Sequence, residues 1–330
     1  MLEHGGKLRA AAQRFGRDAS DWVDLSAGLN PIGYPAPPIS ADAWQRLPET
    51  DPALLDAACA YYGAPHMLTM AGTQAAIQLL PQLRAPSRVV VAAPSYAEHA
   101  HHWSRHGHTM REVAYAGLDA ALDTCDVLVV CNPNNPTGEM IAADRLLAWA
   151  ARLAGRGGWL VIDEAFADTA PEHSVCAESG TPGLIVLRSL GKFFGLAGVR
   201  VGFVAAHPPL LAALADVAGP WCVSGPAQQI ALAALRDAHW QAAARARLHA
   251  DGARMRALLA AHGIASHGCA LFQWWPESHA QAFWQHMAER GILVRLFTEA
   301  AYGIRLGLPP DDASWRRLSI ALTQWTDRAL

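Results

Sequence analysis

Four short apolar runs limit the folds open to this chain: RVVVAAP (88–94), DVLVVCNP (126–133), WLVIDEAF (159–166) and LIVLRSLGK (184–192). Each is continuous rather than alternating, rich in Val, Ile and Leu, and closed by a polar or glycine-containing turn. Such runs suit strands buried on both faces of a mostly parallel sheet covered by helices. Between them lie helical patterns such as IAADRLLAWAARLAG (141–155), which ends at Gly155 as a helix stop would. The expected architecture is a three-layer α/β domain. After about residue 220 the texture changes to the alanine- and arginine-rich stretch 227–263, followed by the shorter strand-like pieces ALFQWWP and GILVRLF. That reads as a second, smaller α+β domain. The expected division is an N-terminal arm with part of the small domain (1–40), a large domain (41–220) and a C-terminal small domain (221–330).

Composition excludes several classes. A formal net charge of −3 leaves no electrostatic footprint for nucleic acid. The start, MLEHGGKLRAAAQRFG, holds no apolar core of signal-peptide length. The most apolar stretch, PPLLAALADVAGPWCVSGPAQQIALAAL, is interrupted by a charge, prolines and glycines and does not read as a membrane span. Six scattered cysteines without a C-x-x-C pair read as reduced thiols in a cytoplasmic protein. Five histidines crowd into EHAHHWSRHGH (98–108). His99, His102 and His106 share one helix face, but no carboxylate or cysteine pattern completes a metal site. The expectation is a partly exposed helix surface and no metal.

In open α/β sheets, ligands bind beyond the carboxyl ends of the strands. Chemistry-bearing residues fall at those ends. VLVVC runs into Asn132-Pro133-Asn134-Asn135-Pro136-Thr137-Gly138, WLVI into Asp163-Glu164-Ala165-Phe166, and LIVLR into Ser189-Leu190-Gly191-Lys192. Upstream, Gly72, Thr73 and Gln74 open a helical pattern whose free N–H groups suit a phosphate, and Tyr96 follows another strand end. Lys192 is one of only two lysines among 26 basic residues, the other being Lys7. Arginine can serve a salt bridge; only an amine that sheds its proton can bond covalently to a carbonyl. Taken in order, the set supplies a phosphate cradle, an aromatic plate, an amide donor, a carboxylate, an amine and, eight residues on, Arg200.

This ordered set resembles the aminotransferase-like pyridoxal 5′-phosphate enzymes of fold type I. NNPTG, DEAF and SLGKFFGLAGVRVG match in order and approximate spacing, across nearly the whole chain. The resemblance implies that Lys192 bonds covalently to pyridoxal 5′-phosphate and that Asp163 holds the ring nitrogen protonated. It implies Asn135 as donor to the phenolic oxygen and Tyr96 as the stacking ring. It assigns Thr73, Gln74, Ser189 and Arg200 to the cofactor phosphate. It also implies a homodimer.

Within this family the chain resembles the threonine-phosphate decarboxylases of cobalamin biosynthesis, through HGGKLRAAAQRFG, WVDLSAGLNPIGYP and WQRLPETDPALLDAACAYYG. Phe166 stands where aminotransferases commonly carry tyrosine, and Leu47 where histidinol-phosphate aminotransferases carry the tyrosine of R-Y-P. The implied reaction is decarboxylation of L-threonine O-3-phosphate to (R)-1-amino-2-propanol O-2-phosphate and CO₂. An aminotransferase acting on histidinol phosphate or a related amino acid is the alternative, and a non-catalytic cofactor-binding protein a third. The bond at Cα that stands perpendicular to the cofactor ring is the one that breaks, so the substrate must be anchored at both ends. Arg305 matches the residue that binds substrate carboxylate, and Arg295 lies where phosphate-bearing substrates are gripped. His4, with the Gly5-Gly6 backbone, and Asn30 complete the expected substrate pocket.

Overall fold

The four apolar runs become neighbours in one sheet in the computed structural model of this chain, which describes residues 4–299 and 301–326. The sheet contains β1 (Met67–Met70), β2 (Arg88–Ala93), β3 (Thr109–Ala114), β4 (Val127–Cys131), β5 (Trp159–Asp163), β6 (Leu184–Ser189) and β7 (Gly202–Ala205). Its order is β1-β7-β6-β5-β4-β2-β3. The pairs β6/β5, β5/β4, β4/β2 and β2/β3 are parallel, whereas β7 runs antiparallel to both β6 and β1. Every residue of β4 and β6 is buried. Their sequences show no alternation because neither face meets water. Val89, Val91, Val127, Val129, Val161, Ile185 and Leu187 form one apolar cluster with helix residues such as Ile77 and Trp103. Each such side chain contributes roughly 1.5–3 kcal/mol through burial. The helix Ala143–Ala154 stops at Gly155, as its pattern indicates.

The chain divides into two units. The sheet belongs to the second, Gly33–Asn135 with Met140–Ala244; the first comprises Met1–Ile32, Pro136–Glu139 and Arg245–Leu330. The expected boundaries at 40 and 220 therefore move to 32 and 244. The reason is local packing: helix Gly225–Arg236 lies along helix Pro52–Tyr62. Gln228 ties them further, accepting from Asp51 N–H at 2.9 Å and donating to Glu49 C=O at 3.0 Å. Those contacts hold the start of the helical stretch in the second unit, and the division falls inside the helix Ala238–Ala261.

The first unit has a four-stranded antiparallel sheet of β8 (His267–Cys269), β9 (Phe272–Trp275), β10 (Arg295–Phe297) and β11 (Gly303–Gly307), in the order β10-β11-β9-β8. Val23–Asp24 pairs in parallel with Ile292–Leu293, drawing the N-terminal segment into this unit. No described helix is long and apolar enough to cross a membrane.

Candidate active site

The second unit gathers the cofactor-type residues at the carboxyl ends of its parallel strands. Asp163 ends β5 and Ser189 ends β6. Asp163 is buried; its Oδ1 accepts from Ala165 N–H at 3.0 Å, which turns the chain sharply after the strand. Ser189 Oγ accepts from Gly191 N–H at 3.1 Å and shapes the turn that carries Lys192. Lys192 is half-buried, with Nζ 5.2 Å from the ring centroid of Phe166. In the Asn-Pro loop, Asn132 exchanges two hydrogen bonds with the Ile141 backbone, at 2.8 and 3.1 Å. Asn134 donates to Pro94 C=O at 2.9 Å. These two asparagines hold the loop in shape, and Asn135 beside them is half-buried.

A phosphate cradle converges beside β7. Gly72, at φ 73°, precedes the helix Thr73–Leu79. A Cβ on Gly72 would come within 2.5 Å of Arg200 Nη2, and one on Gly202 within 2.6 Å of Thr73 N. A side chain at 202 would collide with the Thr73 backbone, and Gly72, at positive φ, stands against the Arg200 guanidinium. Arg200 itself holds φ 58°, a left-handed conformation uncommon for a non-glycine residue. Gly202 pairs with Ser189 across the sheet, so Thr73, Ser189 and Arg200 are neighbours. Gln74 is placed differently from a plain phosphate ligand. Its amide donates to Glu98 at 2.8 Å and accepts from the Tyr96 hydroxyl at 3.1 Å, which orients the Tyr96 ring. Burial and the charge of Glu98 push the Tyr96 hydroxyl's pKa up, so it remains a neutral donor.

The histidine cluster differs from its expected role. His99 is buried, and its Nε2–H donates to Asp163 Oδ2 at 3.0 Å. His102 bonds Glu98 at 3.0 Å, and His108 bonds Pro81 C=O at 2.9 Å. Sequence reading missed His99 as a site residue; its place three residues after Tyr96, on one face of the helix that follows, is the signal that locates it. Cys131, His99 and Asp163 lie within reach of one another, but His99 and Asp163 already satisfy each other. Burial works against a charged His99, yet bonding to Asp163 and Cys131 outweighs it and lifts the pKa to about 10. A folded-state pKa above the unfolded value near 6.5 stabilises the fold fully below pH 6.5, and the contribution is lost as pH climbs toward 10. The cofactor-free protein should therefore lose stability across that window by up to about 1.4 kcal/mol per pH unit. His99→Gln should flatten the loss in denaturant titrations at stepped pH. Equal slopes for both proteins would show that His99 is not charged against Asp163.

The first unit holds the anion-binding residues. Arg295 and Arg305 are direct cross-strand partners in the β10/β11 register. Like charges in that position repel. Arg305 is 5% exposed, donates to Ser26 C=O at 2.8 Å and lies 5.2 Å from the Phe272 ring. Burial, reinforced by Arg295, lowers its pKa to about 10. A bound anion would relieve both effects. Arg295 also lines a pocket of about 310 Å³ with His4, Gly6, Lys7, Arg14 and Ser26. The paired glycines follow from close packing. A Cβ on Gly5 would meet Ser26 O at 2.4 Å, while Gly6, at φ 76°, donates to Ser26 Oγ at 2.8 Å. Asn30 is not in that lining. Its Oδ1 accepts from Ile32 N–H at 3.0 Å and from Arg247 at 3.2 Å, so it shapes the backbone beyond Gly28.

Comparison with known proteins places these features. The family model "Aminotransferase class I and II" matches residues 40–329. The chain is 51% identical to a threonine-phosphate decarboxylase of Pseudomonas aeruginosa, covering 100% of this chain and 99% of that one. It is 42% identical to a threonine-phosphate decarboxylase of Sinorhizobium sp., covering 98% of each. Among solved structures, histidinol-phosphate aminotransferase from Sinorhizobium meliloti in complex with pyridoxal-5′-phosphate matches with a TM-score of 0.82 at 22% identity, over 100% of this chain and 96% of that one.

Proposed function

This chain belongs to the aminotransferase class I and II family, and on that premise we propose that it is a pyridoxal 5′-phosphate-dependent decarboxylase of L-threonine O-3-phosphate. The products are (R)-1-amino-2-propanol O-2-phosphate and CO₂, a step of cobalamin biosynthesis in the cytoplasm. The observation that carries the substrate choice is the facing pair Arg295 and Arg305. Two guanidinium groups in adjacent register suit a molecule with two anionic groups, a carboxylate and a phosphate. The two decarboxylase relatives, similar over nearly their full lengths, support the same choice.

The residues fit the cofactor, since the glycines at 72 and 202 clear space for Thr73, Ser189 and Arg200 to meet one phosphate. When bound, pyridoxal 5′-phosphate supplies an electron sink for the charge left at Cα. Asp163, oriented by its bond to His99, would hold a proton on the ring nitrogen. Asn135 would donate to the phenolic oxygen, and Tyr96 would stack on the ring. Lys192 Nζ would hold the cofactor covalently and would be the group able to carry a proton to the substrate. Arg305 takes the substrate carboxylate, while Arg295, His4 and Lys7 take its phosphate. Anchoring both ends selects which Cα bond is broken. The test is purified protein with pyridoxal 5′-phosphate and threonine phosphate, without a keto acid. CO₂ and the amino alcohol phosphate are expected. Turnover that requires a keto acid and releases no CO₂ would replace this reading with an aminotransferase.

We further propose a homodimer. In the second unit, Trp44, Leu47 and Trp221 are 69%, 66% and 56% exposed. Pro48 and Trp221 line one small pocket, and Gly225 backs onto Ala43, so the two exposed segments are adjacent. Apolar side chains gathered on a surface mark an interaction site. The bulky Trp221 also holds φ 60°, a conformation uncommon for a non-glycine residue, which supports a contact at this surface. Trp44→Glu should raise the dimer dissociation constant at least about tenfold by sedimentation. A fully active wild-type monomer would remove the proposal.

A further inference from the structure

Behind the candidate site, on the other side of the same two strand ends, lies a buried ionic cluster. Arg188, Glu164 and Asp168 are 2%, 0% and 1% exposed. Arg188 Nη1 donates to Glu164 Oε2, and Nη2 lies 3.3 Å from Asp168 Oδ2. The guanidinium also sits 4.5 Å from the Tyr62 ring centroid. Glu164 is held further by Ser174 Oγ–H and by Val175 N–H at 3.0 Å. Asp168 accepts from the Tyr61 hydroxyl at 3.0 Å. A buried ionic cluster of this kind is weak evidence for stability, since apolar residues of similar volume often serve as well. Stability alone therefore does not account for the cluster.

Sequence position points to another role. Glu164 directly follows Asp163, and Arg188 directly precedes Ser189 in the strand that leads to Lys192. Side chains alternate across a strand, so Arg188 points away from the face that Ser189 occupies. Asp163 pairs with Leu187 in the parallel register, which places Glu164 opposite Arg188. Glu164 N–H donates to Leu187 C=O at 3.0 Å at the same point. A slip of one residue between β5 and β6 would move one strand end about 3.3 Å past the other. Displacements of about 1 Å already misalign a catalytic group.

We infer that Arg188, with Glu164 and Asp168, locks the β5/β6 register and so fixes the spacing between Asp163 and Lys192, which makes these three positioning residues. The inference rests on the cofactor reading above. Its test uses one chain carrying Glu164→Gln, Asp168→Asn and Arg188→Met. This removes every charge of the cluster while preserving side-chain volume. The apoprotein is titrated with pyridoxal 5′-phosphate and, separately, with pyridoxamine 5′-phosphate, which offers no aldehyde to Lys192. The expected result is a cooperatively folding variant whose dissociation constant for pyridoxal 5′-phosphate rises at least about tenfold, and for pyridoxamine 5′-phosphate by less than about threefold. Equal losses for the two ligands, or none, would overturn the inference. Should the triple variant not fold, Glu164→Gln alone decides by the same criterion, because it keeps the hydrogen-bonding shape. Wild-type protein that binds neither ligand would sink the cofactor reading instead.

Discussion

Lys192→Ala is expected to leave a folded protein with turnover below about 10⁻⁴ of wild type. The lysine is half-buried in a turn shaped by other groups: Ser189 Oγ accepts from Gly191 N–H, and Gly195 N–H donates to Lys192 C=O. These contacts are made by the Ser189 hydroxyl and the backbone of the turn, while the amine lies 5.2 Å from the Phe166 ring centroid. Its removal should leave the melting temperature within about 3 °C, since surface and half-exposed truncations away from the core shift stability little. What disappears is the one nitrogen able to bond the cofactor covalently and to carry a proton to Cα. No described lysine substitutes for it in the second unit, because Lys7 belongs to the first. The variant should still take up pyridoxal 5′-phosphate at Thr73, Ser189 and Arg200, but without the absorption band of a lysine-bound cofactor. Substantial activity in a preparation lacking that band would end the assignment of Lys192.

Asp163→Asn is expected to lower turnover on the order of 10³-fold while retaining bound cofactor. An amide keeps the shape of the carboxylate and still accepts from Ala165 N–H and His99. It carries no charge, so it cannot hold a proton on the ring nitrogen as the developing charge at Cα requires. The charge of His99 would then lose its partner in a buried place, and its pKa should fall from about 10. The variant should therefore lose the pH-dependent stability between pH 6.5 and 10 as well as activity. That coupling separates it from a general folding defect, which would lower stability equally at every pH. Near-normal turnover would mean that Asp163 does not face the ring.

Much of the site was legible because its signals are local. The strands β2, β4, β5 and β6 announced themselves as uninterrupted apolar runs, since a strand covered on both faces has no solvent-facing position to fill with polar residues. The turns after them could be read because Gly, Pro and Asn are restricted or permissive in the backbone for reasons internal to each residue. The scarcity of lysine singled out Lys192 without any fold. The family resemblance then suggested the roles proposed for Asp163, Asn135 and Arg200.

Other features depend on partners far along the chain. The domain boundary moved because Gln228 bonds Glu49 and Asp51 across more than 170 residues, a pairing that helical periodicity does not encode. The carbonyl oxygen of Asn30 accepts from the nearby Ile32 N–H and also from Arg247, 217 residues along the chain. The five histidines of 98–108 look alike in sequence; only the fold turns His99, on the helix Glu98–Arg105, toward Asp163. Arg188, Glu164 and Asp168 read separately as ordinary charges and become one cluster only when β5 and β6 pair. Arg295 and Arg305 likewise face each other only through the β10/β11 register. The sequence by itself determined the strands, the turns and the candidate amine, because these follow from the covalent chemistry and burial of neighbouring residues. The tertiary structure decided which charges meet, because a hydrogen bond or ion pair forms within about 3 Å of space whatever the distance along the chain.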